Sequence, residues 1–369
     1  MIIHKKIDNK SIVWFQDNNE YIVVEPLVAE ILTLLDNKVD KTQIITNIFN
    51  SINIPYQQAE NLVSDIQNLL KTNTEEIKNI EDIEIPKSFN FQKYYLINDI
   101  VIQVDYLSDF EISLVHPKFA HLETQTQQKA KYHYKVYSNE DYISFTINNE
   151  IINTWNLNEV HYFQGKFSMK IVEHIHKKIE NEWLGVFHAS AISNGKESML
   201  FLGDSGNGKS TSLALLQANG FTCLADDFVP VDSEKQEVYS FPSAISIKKN
   251  SLETLFPIYP ELKTSAEYHF KRLNKIVRYL PPNNSNYTAH LPCKALIFIK
   301  YEQNSNLILK EISKIDAFEQ LVPDSWLSPV TENAEIFLKW FSKLPCYQLT
   351  YSDNNKMIKT ISKIFNNDL

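Results

Sequence analysis

Gly203-Asp204-Ser205-Gly206-Asn207-Gly208-Lys209-Ser210 is entered from the apolar run Ser198-Met199-Leu200-Phe201-Leu202 and left through Thr211 to Ala218, where Leu213, Ala214 and Leu216 share a helical face. A strand, a glycine-rich turn and a helix in that order make G-x-x-x-x-G-K-S a phosphate-binding loop. Its glycines let successive N–H groups turn toward an anion, Lys209 reaches the β- and γ-phosphates, and the Ser210 hydroxyl is suited to Mg²⁺. The helix start turns its positive end to the same phosphates, and Gly220 stops that helix. The nucleotide-binding set is therefore Gly203, Asp204, Ser205, Gly206, Asn207, Gly208, Lys209, Ser210 and Thr211. The cofactors this implies are ATP and Mg²⁺.

A second strand, Phe221 to Ala225, ends on Asp226 and Asp227, the latter eighteen residues past Lys209. The carboxyl end of a strand is where open α/β sheets bind ligands. One carboxylate there suits Mg²⁺ held through water. The other suits the proton of an attacking hydroxyl, as phosphoryl transfer to an alcohol requires. Upstream, Phe187 to Ile192 reads as a strand, and Asn194-Gly195 as a two-residue hairpin turn. Pairing Ser193 with Lys196 sets His188 opposite Phe201, beside the loop. A histidine there either orients a carboxylate, contacts a phosphate oxygen, or is a half-buried strand residue.

His188, the loop Gly203 to Ser210, and Asp226-Asp227 resemble the kinase core of the HPr kinase/phosphorylase family, related in fold to phosphoenolpyruvate carboxykinases. The spacing, twenty-one residues from His188 to Lys209 and eighteen from there to Asp227, is that family's own. The resemblance implies Asp227 as proton acceptor for a serine, Lys209 and His188 as catalytic companions, and Ser210 and Asp226 at the metal. Phe241 to Lys248 and Pro345 to Leu349 are similar to the looser group of kinase-like proteins. The downstream signature L-x-x-x-E-x-R-G of true HPr kinases is absent from the chain.

The 369 residues are enough for two or three domains, and the net charge of −9 argues against a nucleic-acid surface. Cys223, Cys293 and Cys346 show no paired spacing, which points to a reducing compartment. With no signal-type apolar core and no stretch long enough to span a membrane, the expectation is a cytoplasmic protein without a membrane partner. Homo-oligomerisation is left open. Arg272 and Arg278 are the only arginines, six residues apart. The planar fork serves bidentate recognition of phosphate or carboxylate, so both are candidates for the transferring phosphate or the substrate, with Lys248 and Lys249 as weaker ones. Chance clustering is the alternative.

Residues 1–72 read as a separate module. Ile2 to Ile7, Ser11 to Phe15 and Tyr21 to Val24 read as short strands. Three amphipathic helices follow, on Val28, Ile31, Leu32 and Leu35, then Ile44, Ile45, Ile48 and Phe49, then Ala59, Leu62, Val63, Ile66, Leu69 and Leu70. This winged-helix-like order resembles the PqqD-type peptide-recognition domain of ribosomal peptide biosynthesis. That resemblance implies a precursor or leader peptide bound as an added strand. A DNA-binding winged helix and a purely structural cap are the other readings. The acidic stretch 73–90 reads as a linker, and 91–160 as a β-rich lead-in with strands at Ile100–Val104, His133–Tyr137 and Tyr142–Ile147. A helix over Lys166–Glu180 opens the nucleotide-binding core 161–369; its His174 and His176 diverge, which argues against a metal pair.

The expected fold class is thus α/β: a P-loop kinase core of the HPr kinase/phosphoenolpyruvate carboxykinase type, preceded by a β-rich segment and a PqqD-type module. The expected activity is ATP-dependent phosphorylation of a serine or other hydroxyl, on a peptide held by that module. A nucleotide-regulated peptide-binding protein and a kinase of a small-molecule hydroxyl are the alternatives.

Overall fold

The computed structural model describes residues 1–52, 54–70, 83–125, 129–270 and 275–368. Arg272 and residues 73–82 of the expected linker lie outside them. The chain is mixed α/β and divides into two units, Met1–Lys78 with Ile312–Leu344, and Asn79–Glu311 with Pro345–Leu369. Among the described residues no helix is long and apolar enough to cross a membrane.

The first unit carries an antiparallel sheet of β1 (Ile2–Ile7), β2 (Lys10–Phe15) and β3 (Glu20–Val24) in that order. Helices α1 (Pro26–Asp36), α2 (Lys41–Ser51) and α3 (Tyr56–Leu69) follow. The periodicity marks their inner faces: Ile31, Leu32, Ile44, Ile45, Ile48, Ala59, Val63 and Ile66 are buried together with Val13 and Phe15. Phe49, expected inside, stands exposed against Tyr56 instead.

The module is not continuous in sequence. Helices α8 (Lys314–Leu321) and α9 (Thr331–Lys343), with the short strand β20 (Trp326–Leu327) between them, belong to the same unit. Tyr21 packs edge-on against Phe318 and Phe337, with ring centroids 6.0 and 5.6 Å away. Asn19 Nδ2 donates to the Leu327 carbonyl at 2.8 Å. Local periodicity cannot report such a contact, because its two sides lie some three hundred positions apart.

In the second unit, β4 (Phe91–Ile97), β5 (Ile100–Tyr106), β6 (Tyr132–Ser138), β7 (Tyr142–Ile147) and β8 (Glu150–Asn156) form one sheet in sequence order. The β5–β6 pair is parallel, and a parallel neighbour needs a crossover. That crossover contains α4 (Asp109–Phe119), begun by a Ser108–Glu111 capping box. The helix expected at Lys166–Glu180 is α5 (Val160–His176), ended by Lys177 in a left-handed conformation. His174 bonds Tyr134 and His176 bonds the Ser240 carbonyl, so the two rings serve different neighbours.

The central sheet runs β12 (Thr222–Asp226), β10 (Ser190–Ser193), β11 (Ser198–Leu202), β18 (His290–Tyr301), with β21 (Cys346–Tyr351) and β19 (Ile308–Glu311) beyond β18. β18 is long, and its first residues also pair with β14 (Glu237–Tyr239), which leads through β13 (Val229–Asp232) to β9 (Trp183–Phe187). A third, small sheet orders β15 (Ile245–Lys248), β17 (Lys275–Leu280) and β16 (Tyr268–Phe270), with the short helix α7 (Leu252–Leu255) after β15. Helix α6 (Lys209–Gln217) buries Leu213, Ala214, Leu215 and Leu216 in a core shared with Phe201, Ile297, Ile247 and residues Met357, Ile361 and Ile364 of α10 (Asn354–Asn366).

Two expectations are corrected. Phe187 to Ile192 is not one strand: the chain breaks at His188-Ala189, and β9 and β10 join different ladders. The hairpin register is Ser193↔Ser198 and Ser190↔Phe201, two residues off the expected pairing. Asn194 Oδ1 accepts from the Lys196 and Glu197 N–H groups, both at 2.9 Å, and builds a longer loop than a two-residue turn. His188 therefore sits at a corner between strands.

Tyr21 yields a test. Its hydroxyl is buried with no hydrogen-bond partner among the described residues, and burial pushes the phenol well above its usual range. Tyr21→Phe should hold stability within about 0.5 kcal/mol or raise it, because an unmade hydrogen bond is lost without cost. Tyr21→Ala should lose about 3 kcal/mol of packing, both measured by urea unfolding. A destabilised phenylalanine variant would assign the hydroxyl a partner.

Candidate functional site

The loop connects β11 to α6, and its glycines take left-handed conformations: φ is +130° at Gly203, +106° at Gly206 and +95° at Gly208. Gly203 also lies against β18, where an added Cβ would come 2.8 Å from the Ile299 carbonyl oxygen. Asn207 ties the loop in place, donating its N–H to Asp204 O at 3.1 Å and accepting from the Tyr301 N–H at 2.9 Å. Lys209 Nζ donates to the Gly203 carbonyl and, at 3.4 Å, to that of Asp204.

One concave pocket gathers His188, Asp204, Ser205, Gly206, Gly208, Lys209, Ser210, Thr211, Asp227, Ser246, Lys248, Asn250, Ser251 and Val277. The loop, the corner histidine and the second aspartate thus meet, although three elements supply them. Lys248 reaches across from β15 and donates to Ser205 Oγ at 2.7 Å. Thr211 Oγ1 and Ser251 Oγ bond at 2.7 Å on the same wall.

Asp226 and Asp227 are adjacent but differently surrounded. Asp226 is buried and accepts from Ser190 Oγ at 2.6 Å, Ser246 N at 3.0 Å and Ser210 Oγ at 3.0 and 3.2 Å. Burial and then the charge of Asp227 raise its carboxyl above the usual range, against the pull of those hydrogen bonds. Asp227 turns the chain at φ +68°, a conformation aspartate tolerates better than most residues. Its Oδ1 lies 3.0 Å from His188 Nδ1, and its Oδ2 accepts from Lys118 Nζ at 3.0 Å. Burial works to raise this carboxyl too, but Lys118 and His188 outweigh it and hold it well below the usual carboxylate range.

The corner between β9 and β10 serves both acids in three consecutive residues. His188 meets the Asp227 carboxylate, the Ala189 carbonyl accepts the Asp227 N–H at 2.9 Å, and Ser190 donates to Asp226. The break that overturned the expected strand is what makes this grip.

The donor set fits a small, hard cation. Ser210 Oγ and the Asp226 carboxylate lie within hydrogen-bond distance of each other, and both are oxygen donors of the kind Mg²⁺ prefers. Among the described residues no group of three or more His, Cys, Asp or Glu could hold a metal ion. Mg²⁺ commonly keeps waters and substrate phosphates in such places.

Arg278 does not join this pocket. Along β17 side chains alternate, and Val277, opposite Lys248, takes the pocket side. Arg278 pairs instead with the buried Ile247; its guanidinium donates to the Leu262 carbonyl, to that of Lys263 at 2.8 Å, and to Glu267 at 3.3 Å. The fork satisfies backbone acceptors here. Lys118 was missed, because Pro117 in α4 reads as a helix breaker and nothing local ties residue 118 to residue 227.

No family model and no curated protein matches the sequence. Among solved structures, the chain is similar to the Hpr(Ser) kinase/phosphatase from Coxiella burnetii at 9% identity, covering 49% of this chain and 94% of that one. The TM-score is 0.23, too low for the likeness to bear on the site.

The glycines give a graded prediction. Gly203→Ala meets both a backbone oxygen and a positive φ, whereas Gly206→Ala meets the φ alone, with nothing within 4 Å. Gly203→Ala should lose about 1–3 kcal/mol and Gly206→Ala markedly less, as read from urea midpoints. Equal losses would mean that the approach to Ile299 is not close.

Proposed function

We propose that this chain is an ATP-dependent kinase of a hydroxyl group, with Asp227 as proton acceptor. The observation that carries the reading is the Asp227 carboxylate lining the same pocket as the loop glycines and Lys209, with a donor on each of its oxygens. A protein that only sensed a nucleotide has no use for a carboxylate held ionised at that place.

In this reading the loop N–H groups and Lys209 bind the phosphates, and Ser210 and Asp226 hold Mg²⁺. The ion, when bound, neutralises charge on the phosphate oxygens. As the acceptor oxygen bonds to the γ-phosphorus, its proton passes to Asp227, and the bond to the β-phosphate oxygen breaks with its electrons leaving on ADP. Asp227 is a weak base because its carboxyl is held low. Phosphoryl transfer tolerates that, since little charge builds on the attacking oxygen and positioning dominates. His188 orients the acid from the Oδ1 side.

The acceptor is proposed to be a serine or another hydroxyl on a precursor peptide, held by the N-terminal unit as an added strand. What supports this part is the order of three strands and three amphipathic helices from Ile2 to Leu69 and its resemblance to peptide-recognition domains.

Asp227→Asn should keep nucleotide binding and lower phosphoryl transfer by roughly 10²-fold or more, the scale of a lost general base. Transfer is read as a gain of one phosphate by mass spectrometry on a pool of serine-containing peptides given ATP and Mg²⁺; undiminished transfer sinks the assignment. Lys209→Ala should lose both nucleotide binding, by titration, and transfer. For a peptide that is phosphorylated, removing its leader portion should raise KM and leave kcat nearly unchanged. An unaltered KM would refute delivery by the N-terminal unit.

A further inference from the structure

We propose that Lys118 is a positioning residue for phosphoryl transfer, clamping the Asp227 carboxylate against His188 so that it meets the acceptor hydroxyl in one orientation. This rests on reading Asp227 as the proton acceptor, and it gives the β-rich segment a part in the chemistry.

Asp227 is held at three points. Lys118 Nζ takes Oδ2 at 3.0 Å, His188 Nδ1 stands 3.0 Å from Oδ1, and the Asp227 N–H is bonded to the Ala189 carbonyl at 2.9 Å. With a donor on each oxygen, rotation of the carboxylate about its last bond would break one contact or both. Each oxygen keeps a further lone pair for a hydroxyl proton. Removing either side leaves a group hinged on a single contact, and small misplacement of a reacting group is costly in rate.

The backbone around the lysine is anchored on both sides. Its own carbonyl accepts the Ala244 N–H at 2.8 Å, at the approach to β15. The preceding turn of α4 is tied to α5 by Gln164 Nε2 donating to the Leu114 carbonyl at 2.7 Å. The next residue, Phe119, packs edge-on against Phe241 at 5.9 Å and also meets Tyr95 and Phe167. Both ends of the lysine backbone are therefore fixed, and the stem reaches Asp227 from that anchored base.

A purely structural ion pair is the competing account, and exposure argues against it. The Lys118 and Asp227 side chains are 30% and 39% exposed, so water screens the pair and it adds little to folding. Loss of Lys118 should then touch turnover far more than stability.

The test uses the full chain, ATP and a serine peptide that gains one phosphate. Lys118→Met should lower kcat about 10²-fold, with KM for ATP within about twofold of the unsubstituted chain and an unchanged thermal midpoint. Lys118→Arg should recover part of the loss. Lys118→Cys treated with 2-bromoethylamine, which restores an ammonium at the end of the stem, should recover more, with the treated unsubstituted chain as control for Cys223, Cys293 and Cys346. Undiminished kcat in Lys118→Met while Asp227→Asn is inactive overturns this proposal alone. So does a loss shared equally between ATP affinity and kcat, or failure of both rescues. Absence of transfer by the unsubstituted chain overturns it together with the reading on which it rests.

Discussion

Two carboxylates on consecutive residues repel each other, and with one of them buried and the other half-buried, leaving both as bare anions would be costly. The second unit is arranged around that difficulty. Asp226 is given hydroxyls and a backbone N–H, yet burial and then the charge of Asp227 disfavour its ionised form. Asp227 is given a lysine and a histidine, so its charge is secure. Environments that pull neighbouring acids apart assign them different work. The work proposed for them here is a metal for one and a proton for the other.

That division draws on pieces of chain far from each other. Lys118 comes from the crossover helix of one sheet, Ser190 and His188 from a corner between two ladders of another, and Ser246 from the strand that borders the loop. The core beneath α6 holds the loop side rigid, since Leu213, Leu216, Phe201 and Ile297 are fully buried there. Rigid elements are what a site of this kind requires, because it must hold its geometry before a ligand enters.

Much of this was legible in the sequence where the signal is local. The glycine-rich turn between strand and helix announces itself through its glycine spacing, the strand Ser198–Leu202 through its apolar run, and the three N-terminal helices through a 3.6-residue period. What escaped depends on distance. Lys118 meets Asp227 across 109 positions, and α4 lies inside a segment read only as β-rich. The hairpin register slipped because Asn194 spends its side chain on the Lys196 and Glu197 N–H groups, a bond that dipeptide preferences do not encode. Arg278 misled for a chemical reason: a guanidinium is as well suited to backbone carbonyls as to phosphate.

The return of residues 312–344 to the N-terminal unit has a consequence for synthesis. The strands and helices from Ile2 to Leu69 are made long before α8 and α9, so Tyr21 finds Phe318 and Phe337 only after residue 337 has been made. Until then the aromatic face around Tyr21 lacks the rings that pack on it, and its closure must wait for contacts of very high sequence separation, which form slowly. The N-terminal unit thus stays open across the making of most of the second, and a ribosome stalled before residue 344 would carry an incomplete one.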